Sequence, residues 1–291
     1  MSNHHLIFDV SNLVYRVSYA NSELKTSDGR FSGHVYGCIS SILAHLRNDF
    51  KDLDTVLVFC YDGKGAKAFR QAIFPTYKTN RMPRDVDPLP EAKEVLKTIP
   101  GIHIEQAERE GDDGLAFAVK KRAGKPCTIV SGDKDTWALL SNPGVRIFSP
   151  NLKRYVTPED VKEEYHLEWG FEKVRLCKAL WGDASDGIKT FERLMKKQVA
   201  PTINLPQVTD LDSFFKVIDA ERPKGMTDNT FQKLQDQATR EVAQKAYQVI
   251  LPQLDFVPSS VSVKDKDLTA LVKHLENYEC ISLIDEVKNT W

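Results

Sequence analysis

Residues 55–62 read TVLVFCYD. The run Thr55–Tyr61 is β-favouring and continuous, without the alternation of a half-exposed strand, so it reads as a strand covered on both faces. Leu6–Val10 reads as a first strand. Ile102–Ile104 is a weaker one, Cys127–Ser131 (CTIVS) is another buried one, and Val145–Phe148 follows. Between them lie helical patterns: Val35, Ile39, Ile42, Leu43 and Leu46 share one face, and Leu115–Arg122 forms a helix that Gly124 stops. Alternating strands and helices predict an α/β fold with a parallel sheet flanked by helices. Beyond about Trp181 only helical patterns recur, at Thr230–Leu251, Leu268–Leu275 and Ile281–Val287, punctuated earlier by Pro201, Pro206, Pro223 and Gly225. A boundary is therefore expected near residue 180, with a catalytic unit over 1–180 and a mainly helical subdomain over 181–291.

Composition narrows the function. The 291 residues carry 40 Lys plus Arg against 41 Asp plus Glu, a net charge of −1. That excludes a wholly basic DNA-coating protein but not a locally basic surface. Five cysteines, widely spaced and without C-x-x-C, argue against a disulfide framework or a zinc knuckle and suit a reducing compartment. The N-terminus lacks a signal-peptide pattern, and no apolar stretch approaches the ~20 residues that span a bilayer. A soluble intracellular protein with no membrane partner is expected.

The acidic residues fall at informative places. Asp9 ends the first strand, Asp62 ends TVLVFCY, and Asp133 and Asp135 follow CTIVS in the string SGDKD. Glu110, Asp112 and Asp113 stand in a loop before the Leu115 helix. Asp183 and Asp186, in WGDASDG, share one face of a turn. In a parallel sheet the carboxyl ends of the strands form one edge, outside which ligands bind. One such Asp is ordinarily a turn former or a cap. Acids from four separate segments on one edge repel one another and require protonation or bound cations. Oxygen ligands of this kind suit Mg²⁺ or Mn²⁺.

A basic stretch follows Asp62 directly. Lys64, Lys67, Arg70, Lys78, Arg81 and Arg84 occur without an intervening acid, and Phe74 and Tyr77 lie among them. Cations and rings beside a metal edge suit a nucleic-acid strand, whose phosphates pair with Lys and Arg while bases stack. Lys189, Arg193, Lys196 and Lys197 form a second basic group at helical spacing. His4 and His5 read as a surface pair, and Trp137, Trp169 and Trp181 as packing residues.

Five segments in order, LIFDVSNLVYR, YDGKGAKAFRQAIFPTYKTNR, EGDDGLAFA, TIVSGDKD and KALWGDASD, resemble the 5′-nuclease family. That family includes the 5′-nuclease domain of bacterial DNA polymerase I, phage flap endonucleases and 5′→3′ exonucleases, within the PIN-like group. The resemblance covers about residues 5–195. It implies a PIN-like sheet with a helical arch over about residues 62–97. It places Asp9, Asp62, Glu110, Asp112 and Asp113 around a first metal ion. Asp133, Asp135, Asp183 and Asp186 surround a second, with Asp133 near both. Lys78 and Arg81 match the pair that contacts the scissile phosphate, and Tyr77 a ring on which the terminal base stacks. Two Mg²⁺ or Mn²⁺ ions are implied, with DNA bearing a free 5′ end (flap, duplex end or single strand) as substrate. An RNA primer and a DNA polymerase are candidate partners, and a monomer in the cytoplasm of a bacterial or phage-infected cell is expected.

One departure stands out. The family follows GDxSD with a glycine hairpin and Lys-Thr, whereas here Asp186 passes through Gly187 and Ile188 straight to Lys189 and Thr190. The helix–hairpin element is degenerate, which puts duplex anchoring and flap preference in question. Other readings fit less well. A haloacid-dehalogenase-type phosphatase wants a second Asp where Ser11 stands, and no G-x-G-x-x-G follows a strand as a nicotinamide dehydrogenase requires. An RNA-cleaving PIN-like enzyme shares the acids but not the long basic arch. A non-catalytic nucleic-acid binder would tolerate loss of acids, and none is missing.

Overall fold

The computed structural model describes residues 3–50, 54–82, 86–168, 170, 173–250, 255–259 and 261–291. Its centre is a seven-stranded sheet in the order β6-β5-β4-β1-β2-β3-β7. The strands are β1 (His4–Asp9), β2 (Thr55–Asp62), β3 (Gly101–Gln106), β4 (Cys127–Val130), β5 (Val145–Ser149), β6 (Arg154–Tyr155) and β7 (Val261–Lys264). The inner five run parallel, with Phe8 opposite Phe59 on one side and Val130 on the other. The two edge strands, β6 and β7, are antiparallel.

Side chains alternate across the pleat, so each buried strand feeds two layers. Ile7, Val58, Cys60 and Ile129 point into one core, and Leu6, Phe8, Leu57, Phe59 and Tyr61 into the other. The second core is roofed by α1 (Val10–Ala20), α2 (Gly33–Asn48) and α4 (Leu89–Leu96), which bring Leu13, Ile39 and Val95. The short α3 (Ala68–Ile73) precedes α4. The first core is roofed by α5 (Gly111–Arg122), α6 (Pro158–Tyr165), α7 (Val174–Trp181), α8 (Lys196–Ile203), α9 (Leu211–Ala220), α10 (Asp228–Gln235) and α11 (Gln237–Val249). The chain then crosses by β7 to the opposite side. There α12 (Thr269–Asn277) and α13 (Ile284–Thr290) pack Leu271, Leu275 and Val287 into the second core. Both cores thus include residues from either side of position 180, where the sequence suggested a boundary.

Several expectations are corrected. The second half holds a strand, β7, whose four residues are all exposed and which is held by pairing with the open edge of β3. The helix expected over Thr230–Leu251 is two helices. Asp236 interrupts it and caps α11 by accepting from the Thr239 amide at 2.8 Å; Leu251 lies outside the described residues. Helix α5 begins at Gly111, so Asp112 and Asp113 lie in its first turn and not in a loop. His4 and His5 open β1 and are half-buried, with His4 stacked on Phe50 at 4.9 Å. Trp137 and Trp181 both pack against Tyr165, as expected of packing residues, and Trp169 lies outside the described residues. No helix among the described residues is long and apolar enough to cross a membrane.

Candidate active site

The carboxyl ends of β1, β2 and β4 lie side by side because those strands are parallel neighbours in register. This edge opens into a cleft of about 740 Å³ lined by Asp9, Asp62, Glu110, Asp112 and Asp133, with Lys67, Lys78 and Arg81 also on its wall. Each acid is aimed by a short local contact. Asp9 caps α1 by accepting from the Asn12 amide at 3.0 Å and takes the Ser131 hydroxyl at 2.8 Å. Asp62 accepts from the Ser11 hydroxyl at 2.7 Å and from the Gly111 amide at 2.6 Å, which ties β2 to the start of α5. Asp133 accepts from the Asp135 amide at 2.9 Å, opening a 3₁₀ segment over Lys134–Ser141.

These acids are held where charge is costly. Burial, with Asp133 and Asp62 nearby, pushes the Asp9 carboxyl up to about 7. Burial also raises Asp112 well above its ordinary range, with Asp9 and Asp133 adding to it. Asp135 is pushed up to about 6 by burial, against the pull of Lys178 and with a further push from Asp133. Asp133 therefore acts electrostatically on both groups of acids. A second group lies beside the first: Asp135, Asp183 and Asp186 bring one carboxylate oxygen each within 4.8 Å of one another. An all-oxygen, partly buried, like-charged donor set is the environment that hard divalent cations fit.

The basic stretch divides. Lys78 places its ammonium 2.6 Å from Glu110 and 3.7 Å from Asp186, while Arg81, half-exposed, reaches Asp186 at 2.6 Å. Burial would lower the Lys78 pKa, but Glu110 and Asp186 outweigh it and raise it. Lys78 sits at φ 53°, a left-handed conformation that costs energy for a side chain with a Cβ. Its amide is held by the Asp186 carbonyl at 2.7 Å. Asn80 donates to the Ala184 carbonyl at 3.0 Å and Thr76 to the Gly187 carbonyl at 3.3 Å, so the YKTN segment is clamped on the Asp183–Ile188 turn. Gly187 is required there: it has φ 71°, and a Cβ would stand 2.7 Å from the Thr76 carbonyl oxygen.

Three residues expected in the site are not open to a ligand. Arg70 is buried. It holds Asp113 at 2.8 Å and Glu110 at 3.0 Å and donates through Nε to the Val249 carbonyl at 2.9 Å. It is a strut between α3, α5 and the end of α11, not a phosphate contact. Asp113, fully buried against that guanidinium, does not line the cleft, because one step along α5 from Asp112 turns the side chain about 100° around the helix axis. Tyr77 is 3% exposed and donates its hydroxyl to Glu110 at 2.7 Å, so its ring is packing and not a platform for a base; Phe74 is buried likewise. Glu110, lowered by Lys78 and Arg70 against the raising effect of burial, anchors this network at the cleft wall. Lys64 is exposed but lines a different hollow with Lys97, His103 and Lys264. Arg84 lies outside the described residues. Lys189, Arg193, Lys196 and Lys197 are exposed, but they do not share one helix: Lys189 and Arg193 precede α8, and Arg193 has φ 51°.

One charged group at the site was not anticipated. Lys178, on α7, contacts Asp135 and lies 2.6 Å from Asp183. Its place five residues before Asp183 in KALWGDASD was the available signal. The polar supports Ser11, Asn12 and Ser131 also escape a search for charge.

Residues 4–166 match the sequence profile of the 5′-3′ exonuclease N-terminal, resolvase-like domain. Over 276 residues the chain is 26% identical to a 5′-3′ exonuclease of Buchnera aphidicola subsp. Acyrthosiphon pisum, which covers 89% of this chain and 90% of that one. It is 31% identical over 224 residues to DNA polymerase I of Caldicellulosiruptor bescii, covering 74% of this chain but 25% of the polymerase, so it spans about a quarter of that relative's length. A bacteriophage T5 flap endonuclease variant, solved as a pseudo-enzyme–product complex with DNA and metal ions, has a similar fold. The TM-score is 0.64 at 20% identity, over 99% of this chain and 98% of that one.

Proposed function

The chain belongs to the 5′-3′ exonuclease family, and from that premise we propose that it is a divalent-metal-dependent 5′ nuclease hydrolysing DNA phosphodiester bonds, as a 5′→3′ exonuclease and flap endonuclease. The observation that carries the reading is the meeting of carboxylates from β1, β2, α5 and the segment after β4 in one cleft, faced by Lys67, Lys78 and Arg81. Asp9, Asp62, Asp112 and Asp133 would hold one Mg²⁺ or Mn²⁺, and Asp133, Asp135, Asp183 and Asp186 the other. When bound, such ions supply Lewis acidity at the phosphate and an activated water. Water adds to phosphorus as the bond to the 3′ oxygen breaks, leaving a 5′-phosphate and a 3′-hydroxyl.

The chain's own residues do the rest. Glu110, fixed by Tyr77 and Arg70, holds the Lys78 ammonium at the cleft wall, where it and Arg81 neutralise charge on the reacting phosphate. Lys67 supplies affinity without taking part in the reaction. The turn closed by the Asp183–Ile188 bridge leads straight to Lys189 without the glycine hairpin that follows this motif in the family, so the arch and the acids would locate a free 5′ end with less help from the duplex. Trimming from a 5′ end then competes with cutting at a flap junction, and the monovalent cation that helps the family's hairpin grip the duplex backbone, such as K⁺, is not required. Similarity to DNA polymerase I supports a place in replication or repair beside a polymerase, with the protein working as a cytoplasmic monomer.

The test uses three labelled DNA substrates in one buffer: a 5′ flap, a recessed duplex end and a single strand, with Mg²⁺, with EDTA, and with Na⁺ in place of K⁺. Cleavage that EDTA abolishes and that proceeds on all three substrates in Na⁺ is expected. Cleavage in EDTA overturns the metal-dependent reading. A K⁺-dependent, flap-only pattern overturns the substrate preference.

A further inference from the structure

The two groups of acids differ in what neutralises them. Of the acids lining the cleft, Glu110 is paired with Lys78 and Arg70, but among the described residues no Lys or Arg lies within ion-pair distance of Asp9, Asp62, Asp112 or Asp133. Asp9, Asp62 and Asp133 instead take hydroxyl and backbone N–H donors. In the second group each carboxylate already faces a cation. Lys178 bridges Asp135 and Asp183, and Arg81 and Lys78 face Asp186.

These cations are not equivalent. Arg81 is half-exposed on the arch and lines the cleft, so a substrate phosphate can draw it away. The Lys178 side chain is 12% exposed and does not line the cleft. It rises from α7 between Cys177 and Ala179, both fully buried, so its base is fixed by packing. An ammonium held there reaches the carboxylates and not the substrate. It offsets the repulsion among three close carboxylates, and it occupies the space and the lone pairs that a divalent ion would need.

We infer that Lys178 is the resident counter-ion of the Asp135–Asp183–Asp186 pocket and competes with a divalent ion for it. This second metal position therefore fills only at higher metal concentration than the position at Asp9, Asp62 and Asp112. The inference rests on the two-metal reading above. Lys178 is a positioning residue: it acts through the metal ligands and sets the metal concentration at which the site is complete, while keeping the acids folded together until then.

The experiment is calorimetric titration of the full chain with Mn²⁺ in the absence of DNA. The wild type should bind two ions with unequal affinity. Lys178→Met, which keeps the length and removes the charge, should tighten the weaker site by at least about tenfold and leave the tighter one within about twofold. Lys178→Arg should restore the weak site, which a purely structural role for the side chain does not predict. A second measurement needs no variant: acetylation of the wild-type protein, read by mass spectrometry, should show Lys178 protected without metal and labelled severalfold faster once the weaker site is filled. Two ions in the wild type, with the weaker affinity unchanged in Lys178→Met or with Lys178 labelling unchanged by Mn²⁺, overturns the inference alone. Fewer than two ions in both wild type and Lys178→Met overturns the two-metal reading and the inference with it.

Discussion

Arg70→Met separates a fold-supporting cation from a DNA-binding one. The residue lies in a basic run next to the acid-bearing edge of the sheet, yet it is 1% exposed and its guanidinium is engaged by Asp113, Glu110 and the Val249 carbonyl. Met keeps much of the aliphatic stem, so the loss is mainly electrostatic. It leaves the Asp113 carboxylate, 0% exposed, with Arg109 at 3.8 Å as a distant ionic neighbour. Removing one member of a buried pair costs about 3–5 kcal/mol. At roughly 2–4 °C per kcal/mol for a chain of this size, the midpoint of thermal unfolding should fall by about 6–20 °C. Because both partners are buried together, Arg70→Met with Asp113→Leu should cost clearly less than the sum of the single changes. DNA affinity below the melting range should keep its wild-type salt dependence. In Lys67→Ala, by contrast, the slope of log affinity against log salt should fall by roughly 0.7–0.9. The measurements are differential scanning calorimetry on the four proteins of the cycle and fluorescence anisotropy across a salt series. Wild-type stability in Arg70→Met together with a flattened salt slope would falsify the strut and return Arg70 to the DNA.

Other perturbations read the site directly. Lys78→Ala should slow single-turnover cleavage at saturating enzyme by about 10²–10³-fold, the worth of one charge-assisted contact to a reacting phosphate, and an unchanged rate ends its assignment to the transition state. Asp133→Ala should abolish cleavage in Mg²⁺ while metal-free DNA binding survives, whereas Asp186→Ala should keep residual activity at high Mn²⁺; wild-type turnover in Asp133→Ala contradicts a ligand shared by both ions. The metal-free protein should lose stability as pH rises from about 4 to about 7. The folded state holds protons on Asp9 (raised to about 7) and Asp135 (raised to about 6) that the unfolded chain has already released, so the loss is complete above the folded values. Mg²⁺ should therefore raise the unfolding midpoint more at about pH 8 than at about pH 5.5, and an equal gain at both counts against the acids as its site.

The sheet and the gathering of acids were legible in the amino-acid order because both follow from strand geometry. Thr55–Asp62 and Cys127–Val130 are continuous buried strands, parallel strands end on one edge, and Asp9, Asp62 and Asp133 each stand at or just beyond such an end. Strand β7 was not legible, because the hydrogen bonds of β3's open edge form it and burial of Val261 and Val263 does not. The basic stretch showed its charge but not its direction. Lys67 and Lys78 line the cleft, while Arg70 and Tyr77 turn inward because Asp113, Glu110 and the end of α11 arrive from 33 to 179 residues away to satisfy them. Lys178 likewise becomes a counter-ion only when the packing of α7 brings it between Asp135 and Asp183. A long charged side chain goes wherever its opposite charge is desolvated, and that place is set by the meeting of distant segments, so tertiary structure alone decided which cations serve the fold, which serve the acids and which remain for a substrate.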